Sequence, residues 1–515
     1  MVSYVFLLCG GLVNASNLVS KTNTLIGTQG NGWASGYLYP GATYPFGMVQ
    51  FTPTYFTKQL GFVINQLSGA GCDHMGNFPT LPIAGALRVS PDSILNMQTP
   101  VGKEIGTAGY YAATVDHSIR AELTVTERTG MARYTFSSKE KQGTVIIGGG
   151  VAATPIQVAA IKITGPHSCE GYAEGGAFCG IPTPYKVYFV AEFDADAESF
   201  GTWKEERLHA NHTFAEGSHS GVYFTFPLKE GNQAVQYKIG VSYVSVENAR
   251  ANLRVENPAW DFSAVRQATQ DKWNEYLGKI EVEGDNEDRQ MQFYTHLYRS
   301  LIHPNVCSDV NGEYMGADSQ VHKTARKFYT SFSNWDTYRT QTALIAMLAP
   351  EETSDIVMSH YLFAEQSGGG FPRWVLANIE TGVMQGDPTP ILVANAYAFG
   401  ARTYDPRTLL RTMRYGAEVP GANSQGVLTR PGLEQYLEKG YYDASILLEY
   451  TSSDFAIGRF ALQACNDEPV CNWYTQRAMN WKNLFNKETG WLQSRNEDGS
   501  WKRYDADWRE STYKN

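Results

Sequence analysis

The pattern of hydrophobic and polar positions changes character once along the chain. Between about residues 20 and 255, short apolar or alternating segments are separated by Gly, Ser, Asp and Pro, which is typical of strands and turns. These segments are YPFGMVQFTP, AATVDHSIRAELTVTE, MARYTFS, GTVIIGG, KVYFVAEF, GVYFTFPL and VQYKIGVSYVSV. Because no helical period lies between them, the pattern predicts an antiparallel β-sandwich over residues 20–257.

A helical period begins in residues 258–302, which we interpret as a linker. Residues 259–280 and 287–302 place apolar side chains three and four positions apart, so each predicts an amphipathic helix. His296 and His303 lie seven positions apart on the second of them. Paired metal ligands on a helix usually lie four apart, so these histidines are predicted to pack.

The remaining residues, 303–515, are predicted to form a helical domain. Strand signals are absent after residue 335, and the connections between helical segments are mostly short. The predicted helices are 335–348, 350–366, 388–401, 406–416, 444–464 and 470–486. Such a succession of helical hairpins indicates either a bundle or an α/α toroid.

The N-terminal residues have features of a secretory signal. Residues 4–13 are apolar and small residues follow, so residues 1–16 are predicted to be a signal peptide cleaved near Ala15. No Lys or Arg precedes the apolar run, and the run is too short to span a bilayer. These features predict a secreted or periplasmic protein without a membrane span.

Charge and composition exclude some classes of partner. The formal charge is −10 and the basic residues form no stripe or block, which argues against binding to nucleic acid. Glycine runs at 148–150 and 368–370 lack the Lys and Ser/Thr of a phosphate-binding loop. Aromatic residues make up 13% of the chain, which fits either a rich core or a carbohydrate-binding surface.

Seven cysteines bear on the redox compartment. Cys9 would leave with a signal peptide. Cys169 with Cys179, and Cys465 with Cys471, are close enough in sequence to bridge short loops in an oxidising compartment. Buried free thiols are the alternative, and neither spacing is that of a zinc site.

The run SFSNWDTYR, residues 331–339, combines aromatic rings with the carboxylate of Asp336 and the guanidinium of Arg339. Sugars are recognised by that mixture, because aromatic faces cover the C–H side of a pyranose while charged groups bind its hydroxyls. Ser333 followed by Asp336 also fits a helix capping box, so a structural explanation stays open at this point.

A series of motifs surrounds this run in a definite order. It comprises IGTQGNGWASGYLYPGATYPFGMVQFTP, LSGAGCDHMGNFPTLP, FYTSFSNWDTYRT, QSGGGFPRW, MQGDPTPILVANAY, LEYTSSDFAIGRFA and RAMNWKNLFNKETGWLQSR. Over nearly the whole chain, the series resembles glycoside hydrolase family 92, the exo-acting, calcium-dependent α-mannosidases. The resemblance implies an N-terminal β-sandwich, a linker and a C-terminal (α/α)₆ toroid, with the active site between the domains.

The resemblance also implies a mechanism and its residues. Family members invert configuration, using an acid and a base about 6.5–9.5 Å apart, and hold Ca²⁺ near the terminal mannose. Asp336 matches the sugar-binding aspartate, with Trp335 and Arg339 beside it. Glu510, in DWRESTYKN, matches the general acid, although its neighbours depart from the family's EGNAWQY-like context. The family's base and several calcium ligands lie beyond the position of Asn515, so both are unassigned.

Four other residues are candidates for substrate binding. Asp73 and His74 lie in a Gly-rich loop, which is typical either of a binding site or of a turn. Asp387, just before Pro388, is predicted to cap a helix and is also a candidate site residue. Trp374, in GFPRW, is predicted to be exposed where a connection between helices opens onto the substrate funnel, with simple loop packing as the alternative.

The resemblance implies a glycosidase, specifically an inverting, calcium-dependent exo-α-mannosidase that acts on mannose-containing glycans. One alternative is a truncated, non-catalytic member that binds such glycans, which depends on whether a base lies beyond Asn515. Another is a different toroid glycosidase or a phosphorylase, which would need phosphate and no calcium.

Overall fold

The computed structural model describes residues 17–28, 37–53, 61–92, 101–230 and 233–502. Within them the chain forms an N-terminal domain of two antiparallel sheets and a C-terminal helical domain, which confirms the predicted fold. The predicted signal peptide and Glu510 lie outside the described residues.

The N-terminal domain contains an eight-stranded and a nine-stranded sheet, each antiparallel throughout. In spatial order the first consists of Ala42–Thr43, Gln50–Pro53, Phe62–Val63, Thr80–Ala84, Gln142–Gly148, Ser220–Pro227, Ser199–Lys204 and Arg207–Ala210. The second consists of Phe214–Glu216, Ile156–Gly165, Ser168–Phe178, Ile181–Phe193, Ala234–Ser242, Thr129–Thr135, Ile119–Val125, Tyr110–Val115 and Val101–Thr107.

Alternating side chains bring the two sheets together. Along Ser168–Phe178, Cys169 and Ala173 are buried while the intervening polar residues are partly exposed, as the two-residue period of a strand requires. Across the interface, the rings of Phe193 and Phe224 lie 5.0 Å apart. The sandwich core therefore comes from the alternation that is visible in the sequence.

A helix replaces the end of the predicted strand region. Val246–Glu256 is helical, so the prediction of strand up to about residue 255 is wrong there. Its N-terminus is capped by Ser245, whose side chain accepts from the amide of Asn248 at 3.1 Å. The helix packs closely on the sheet at Gly240, where any Cβ would lie 2.3 Å from a helix carbonyl.

The other helices follow the predicted order. They are Phe262–Leu277, Glu287–Ser300, Asn334–Thr337, Gln341–Leu348, Pro350–Ser367, Thr389–Ala398, Pro406–Glu418, Leu433–Lys439, Ala444–Cys465 and Glu468–Ala478, with 3₁₀ turns at Leu18–Lys21 and Met479–Leu484. Two predicted helices differ: 335–348 is split after Thr337, and 470–486 ends as a 3₁₀ turn. Leu433–Lys439 is not predicted by the sequence.

Short strands also occur in the helical domain, where none is predicted. They are Asn305–Val306 with Tyr329–Thr330, Glu313–Met315 with Val321–Lys323, Phe332–Ser333 with Trp374–Leu376 and Ile379–Glu380, Asn423–Ser424 with Val427–Leu428, and Phe485–Asn486 with Trp491–Leu492. Strands of two or three residues are too short to show a period in the sequence.

Neither of the two candidate disulfides forms, in agreement with the alternative of free thiols, and a different bond is present. Cys72 is bonded to Cys179, while Cys169, Cys465 and Cys471 are free. Cys169 lies near the beginning of a strand that ends just before Cys179, so an extended rise of about 3.3 Å per residue separates the two by roughly 30 Å. The extended strand between them therefore excludes that bond, although the two cysteines are close in sequence.

Candidate functional site

A cavity of about 680 Å³ opens where the two domains and the linker meet. Its walls come from one sandwich loop and a hairpin turn, from the end of the second linker helix, and from the first segments of the helical domain. Its lining includes Leu67–Cys72, Phe178, Cys179, His296, Arg299, His303, Ser333, Asp336 and Trp374. The volume is in the usual range for small-ligand sites.

Asp336 presents its carboxylate to this cavity from a short helix. Asn334–Thr337 follows the strand Phe332–Ser333, and Asp336 is exposed. The hydroxyl of Ser333 donates to one carboxylate oxygen of Asp336. Ser333 makes no side-chain bond to a helix amide, so the capping-box interpretation is wrong. The sugar-binding interpretation remains for Asp336.

The segment that carries Asp336 is fixed from behind by Asn334. The buried side-chain amide of Asn334 donates to the carbonyl of Pro372 at 3.1 Å and to the hydroxyl of Thr389 at 2.9 Å. Pro372 and Thr389 belong to later segments of the helical domain. The position of Asp336 is therefore set by buried hydrogen bonds to those segments.

Trp335 and Arg339 lie on the other side of the same segment and meet Glu449. The indole N–H of Trp335 donates to Glu449 at 3.0 Å, and the Tyr338 hydroxyl reaches the other carboxylate oxygen at 3.4 Å. The Arg339 guanidinium lies 4.4 Å from the Trp335 ring and 3.7 Å from Glu449. Burial raises the pKa of Glu449, and the bonds from Trp335 and the charge of Arg339 oppose that rise.

Glu449 itself is not predicted by the sequence, although it lies within the motif LEYTSSDFAIGRFA. A glutamate near the start of a long amphipathic helix is ordinarily a solvated residue. Here its side chain is only 14% exposed. Its helix, Ala444–Cys465, buries Ser453 and Asp454 beside apolar residues, so no uniform apolar face in the sequence marks the position of Glu449.

Trp374 is buried and forms part of the cavity wall, so the prediction that it is exposed is wrong. Its backbone pairs with Ser333, and its ring stacks on Phe178 with centroids 4.2 Å apart and planes at 25°. Arg373 is buried beside it, donating to the carbonyl of Gly386 at 2.9 Å. The connection turns inward because the sandwich supplies an aromatic surface for it to cover.

Most of the chain matches the sequence models of two known domains. The sequence model of the glycosyl hydrolase family 92 N-terminal domain matches residues 22–242, and that of the glycosyl hydrolase family 92 catalytic domain matches residues 248–514. The chain belongs to glycosyl hydrolase family 92. The boundary between the two matches falls beside the helix Val246–Glu256.

Individual relatives agree with this assignment. An uncharacterized secreted glycosidase of Arthroderma benhamiae is 25% identical over 592 residues, covering 97% of this chain and 70% of that protein. Two family 92 structures from Bacteroides thetaiotaomicron share the fold and cover 95% of this chain. One, an α-mannosidase, has a TM-score of 0.85 at 24% identity, and the other, an inverting mannosidase, has 0.83 at 25%. The chain covers 68% of each.

Asp73 and His74 have different environments in this family 92 chain. Asp73 is exposed, next to the cavity-lining residue Cys72. His74 is fully buried behind the wall, and burial lowers its pKa to about 4. Its two ring nitrogens are bonded to backbone groups of Leu67 and Cys72. A contact between the His74 side chain and substrate is therefore not supported.

Asp387 belongs to a buried ion network. Its carboxylate accepts from Arg430 at 2.8 Å, and Arg430 also binds Asp454 at 2.7 Å. The following helix begins at Thr389 without a side-chain cap, so the prediction that Asp387 caps it is wrong. Burial raises the pKa of Asp387, and the positive charge of Arg430 opposes the rise. This carboxylate links the segment before that helix, through Arg430, to Asp454 on the helix Ala444–Cys465.

The second linker helix and the residues just after it line part of the cavity, a role that the sequence does not predict for them. His296 lies on the exposed face and lines the cavity, so the prediction that it packs is wrong. His303 packs as predicted, with both ring nitrogens bonded. Arg299 donates to the carbonyl of Tyr39 at 2.8 Å and ties the helix to the sandwich.

The described residues do not supply a ready calcium site. Among them, no group of three or more His, Cys, Asp or Glu side chains is placed to hold a metal ion. Ca²⁺ prefers six to eight oxygen ligands. Asp336 is a suitable oxygen donor at the cavity but does not make a ligand set alone.

Proposed function

We propose that this family 92 glycosidase is an exo-acting α-mannosidase that removes terminal mannose from glycans with inversion of configuration. The observation that carries the proposal is the cavity between the domains, where an exposed carboxylate, Asp336, stands near a buried aromatic wall that includes Trp374. One family 92 α-mannosidase structure with the same fold is a complex with mannoimidazole, which supports a mannose-type ligand.

The cavity suits one terminal sugar ring. The Asp336 carboxylate would accept hydrogen bonds from sugar hydroxyls, and charge-assisted bonds of this kind are about twice as strong as neutral ones. The hydroxyl of Ser333 already occupies one of its oxygens and orients the group. Trp335 and Arg339, held by Glu449, would border the same subsite.

The bond-breaking groups remain predictions. Glu510 is proposed as the general acid that protonates the leaving oxygen, and it lies outside the described residues. The base is unassigned. Inversion requires it to lie about 6.5–9.5 Å from the acid, on the opposite face of the sugar, so that a water molecule fits between them.

Calcium is proposed as the cofactor on the family resemblance alone. Bound near the terminal mannose, it would bind sugar hydroxyl oxygens as a hard cation. The described residues lack a ligand group for it, so no residue is assigned to it and no step is derived through it. Treatment with a chelator should abolish mannose release, and added Ca²⁺ should restore it; activity indifferent to chelation would exclude the cofactor.

Secretion is proposed from the apolar N-terminal run and from the secreted relative of Arthroderma benhamiae. No helix in the described part of the chain is long and apolar enough to cross a membrane. Recovery of the protein in the culture medium, shortened by its first residues, is the expected result.

The activity test uses α-linked mannobiose with free mannose as the readout. Wild-type protein should release mannose, whereas α-linked glucobiose should remain intact. Asp336→Asn should lower kcat/KM by about 10–100-fold, because one charged hydrogen bond contributes about 1.5–3 kcal/mol. Asp271→Asn, on the exposed face of the first linker helix, is the matched control and should leave it unchanged. Cleavage of glucobiose in preference to mannobiose would refute the proposal.

A further inference from the structure

One wall of the cavity is a loop of mostly small residues, which exposes its main chain to the cavity. The loop Leu67–Cys72 contributes all six of its residues to the lining, and four of them are Gly, Ala or Ser. Such residues offer a ligand main-chain groups and little side chain. The shape of the wall is therefore set by whatever holds the loop's peptide groups in place.

Three consecutive amides of this loop are bonded to groups outside it. The amide of Leu67 donates to Nε2 of His74 at 2.7 Å, and the amide of Ser68 donates to Nε2 of His303 at 2.9 Å. The next amide, that of Gly69, donates to a backbone carbonyl at 2.7 Å. Two adjacent peptide groups are thus held by two imidazoles, one from the sandwich and one from the linker.

The hydrogen bonds fix the protonation state of both rings. An Nε2 that accepts from an amide carries no hydrogen, so the hydrogen must lie on Nδ1. Nδ1 of His74 lies 2.7 Å from the carbonyl of Cys72, and Nδ1 of His303 lies 2.6 Å from Oδ1 of Asn305. The amide of Asn305 donates to two carbonyls, which leaves Oδ1 as the acceptor.

The outer end of the loop is held covalently. Cys72 is bonded to Cys179 in the hairpin turn of the nine-stranded sheet, and Phe178 beside it stacks on Trp374. The His74 ring also meets Phe178, with centroids 6.1 Å apart and an edge-on arrangement. Sandwich, linker and helical domain therefore all fix the loop's position.

We propose that His74 and His303 are positioning residues that hold the Leu67–Cys72 loop as the wall of the sugar subsite, and this rests on the proposed function. Neither ring has a nitrogen left for substrate, so they act through the loop. Both rings must be neutral, because a protonated Nε2 carries a hydrogen and cannot accept a hydrogen bond from the loop amide.

The surroundings keep both rings neutral. His74 faces His303, the ring of Phe178 and backbone groups, and burial lowers its pKa to about 4. His303 faces Asn305, the ring of Tyr39 and the cation of Arg299; burial first, and then Arg299, lower its pKa to about 4. With pKa values near 4, both rings are neutral at pH 7.

The test compares two substitutions at His303. His303→Gln can keep an acceptor for the Ser68 amide, whereas His303→Phe keeps the ring shape without one. We expect hydrogen exchange in the peptide spanning Leu67–Cys72 to be about tenfold faster in His303→Phe and near wild type in His303→Gln, which corresponds to one hydrogen bond. Binding of mannoimidazole, followed by calorimetry, should weaken about 5–10-fold in the first variant alone.

His167→Phe, at an exposed position of the sandwich, is the matched control and should change neither readout. Unchanged exchange in His303→Phe, or equal loss in both His303 variants, would overturn the proposal. Faster exchange with unchanged affinity would refute the loop's part in the subsite. If the wild-type protein does not bind the ligand, the proposed function fails, while the exchange data still decide whether the imidazole holds the loop.

Discussion

Asp336 and Asp387 show how burial decides what a carboxylate does. Both lie in motifs of the resemblance and both are candidates from the sequence. Asp336 is exposed at the cavity, bonded only to a neighbouring hydroxyl among the groups described, and so has capacity to bind a ligand. Asp387 is 3% exposed, is paired with Arg430 and does not line the cavity. Substitution of the first should change affinity and that of the second stability.

Buried histidines make stability depend on pH. Burial lowers the pKa of His74 to about 4, against about 6.5 in an unfolded chain. Between those values the unfolded state binds a proton that the folded state does not, so stability is complete above pH 6.5 and falls as the pH drops towards 4. His74 alone should contribute a slope of about 1.4 kcal/mol per pH unit.

Urea unfolding at pH 7 and pH 5 checks this dependence. The free energy of unfolding should differ less between pH 7 and pH 5 in His74→Gln than in the wild type, because the titrating group is gone. His167→Phe should keep the full difference, since His167 is exposed. An equal difference in wild type and His74→Gln would show that this histidine is not the source.

At the residue scale, the sequence predicts site residues that lie within a motif better than contacts between residues far apart in the chain. Asp336 and Trp374 are both named from sequence, and both lie at the cavity. Glu449 and the roles of His74 and His303 are not predicted, because each depends on a partner more than 100 positions away or on burial that no local pattern shows. The burial of Trp374 similarly depends on Phe178.

The hairpin that carries Cys179 has a tight turn that places this cysteine beside Cys72. Phe178 and Ile181 pair across a two-residue turn, in which Cys179 and Gly180 have φ values of 50° and 81°. Positive φ at both positions is typical of a type I′ turn, whose twist matches that of the strands. The turn presents the Cys179 sulfur to Cys72 in the cavity wall, so the hairpin braces the wall.

Removing this brace should destabilise the protein. The disulfide spans 107 residues, and the double substitution Cys72→Ser with Cys179→Ser should lower the free energy of unfolding by about 2–4 kcal/mol. A reductant should lower the melting temperature of the wild type and leave that of the double variant unchanged. A reductant effect of equal size on both proteins would mean that this bond is not the cause.

A second prediction concerns the buried ion network between helices. Asp454, on the helix Ala444–Cys465, accepts from Arg430 and from Arg477, each at 2.7 Å, and all three are buried. Burial raises the pKa of Asp454, but the two guanidinium groups more than offset that effect and leave the pKa lowered. Asp454→Asn leaves the buried Arg477 without a carboxylate partner and Arg430 with Asp387 alone, and should cost about 3–5 kcal/mol.

Helical circular dichroism during urea unfolding measures that cost. Glu275→Gln is the matched control, because Glu275 belongs to an exposed pair with Lys272 and should change stability by less than about 1 kcal/mol. A loss in Asp454→Asn no larger than in the control would show that the network does not stabilise the helical domain.

Elements with a sustained period are predictable from this sequence, and irregular ones are not. Long helices such as Pro350–Ser367 and Ala444–Cys465 fall within a residue or so of their predicted ends. The helix Val246–Glu256 is missed because its first residues continue an apolar strand run. The disulfide is missed because pairing depends on the fold and not on sequence distance.

At the scale of the whole molecule, the apolar core of the sandwich extends into the helical domain. The main cluster of the sandwich includes Phe328, Trp374 and Leu376 of the helical domain. The linker is tied in as well, since the indole N–H of Trp273 donates to the carbonyl of Thr43 at 2.7 Å. The cavity therefore lies over a continuous packed junction, which holds groups from both domains in fixed positions.

The most direct test of the central claim follows the anomeric form of the released sugar. Proton NMR of α-linked mannobiose with the purified protein should show β-mannose first, with the α form growing later by mutarotation, because an inverting enzyme delivers water to the opposite face. Initial release of α-mannose would contradict the mechanism. Failure to release mannose under conditions in which the protein cleaves another glycoside would contradict the assignment as an α-mannosidase.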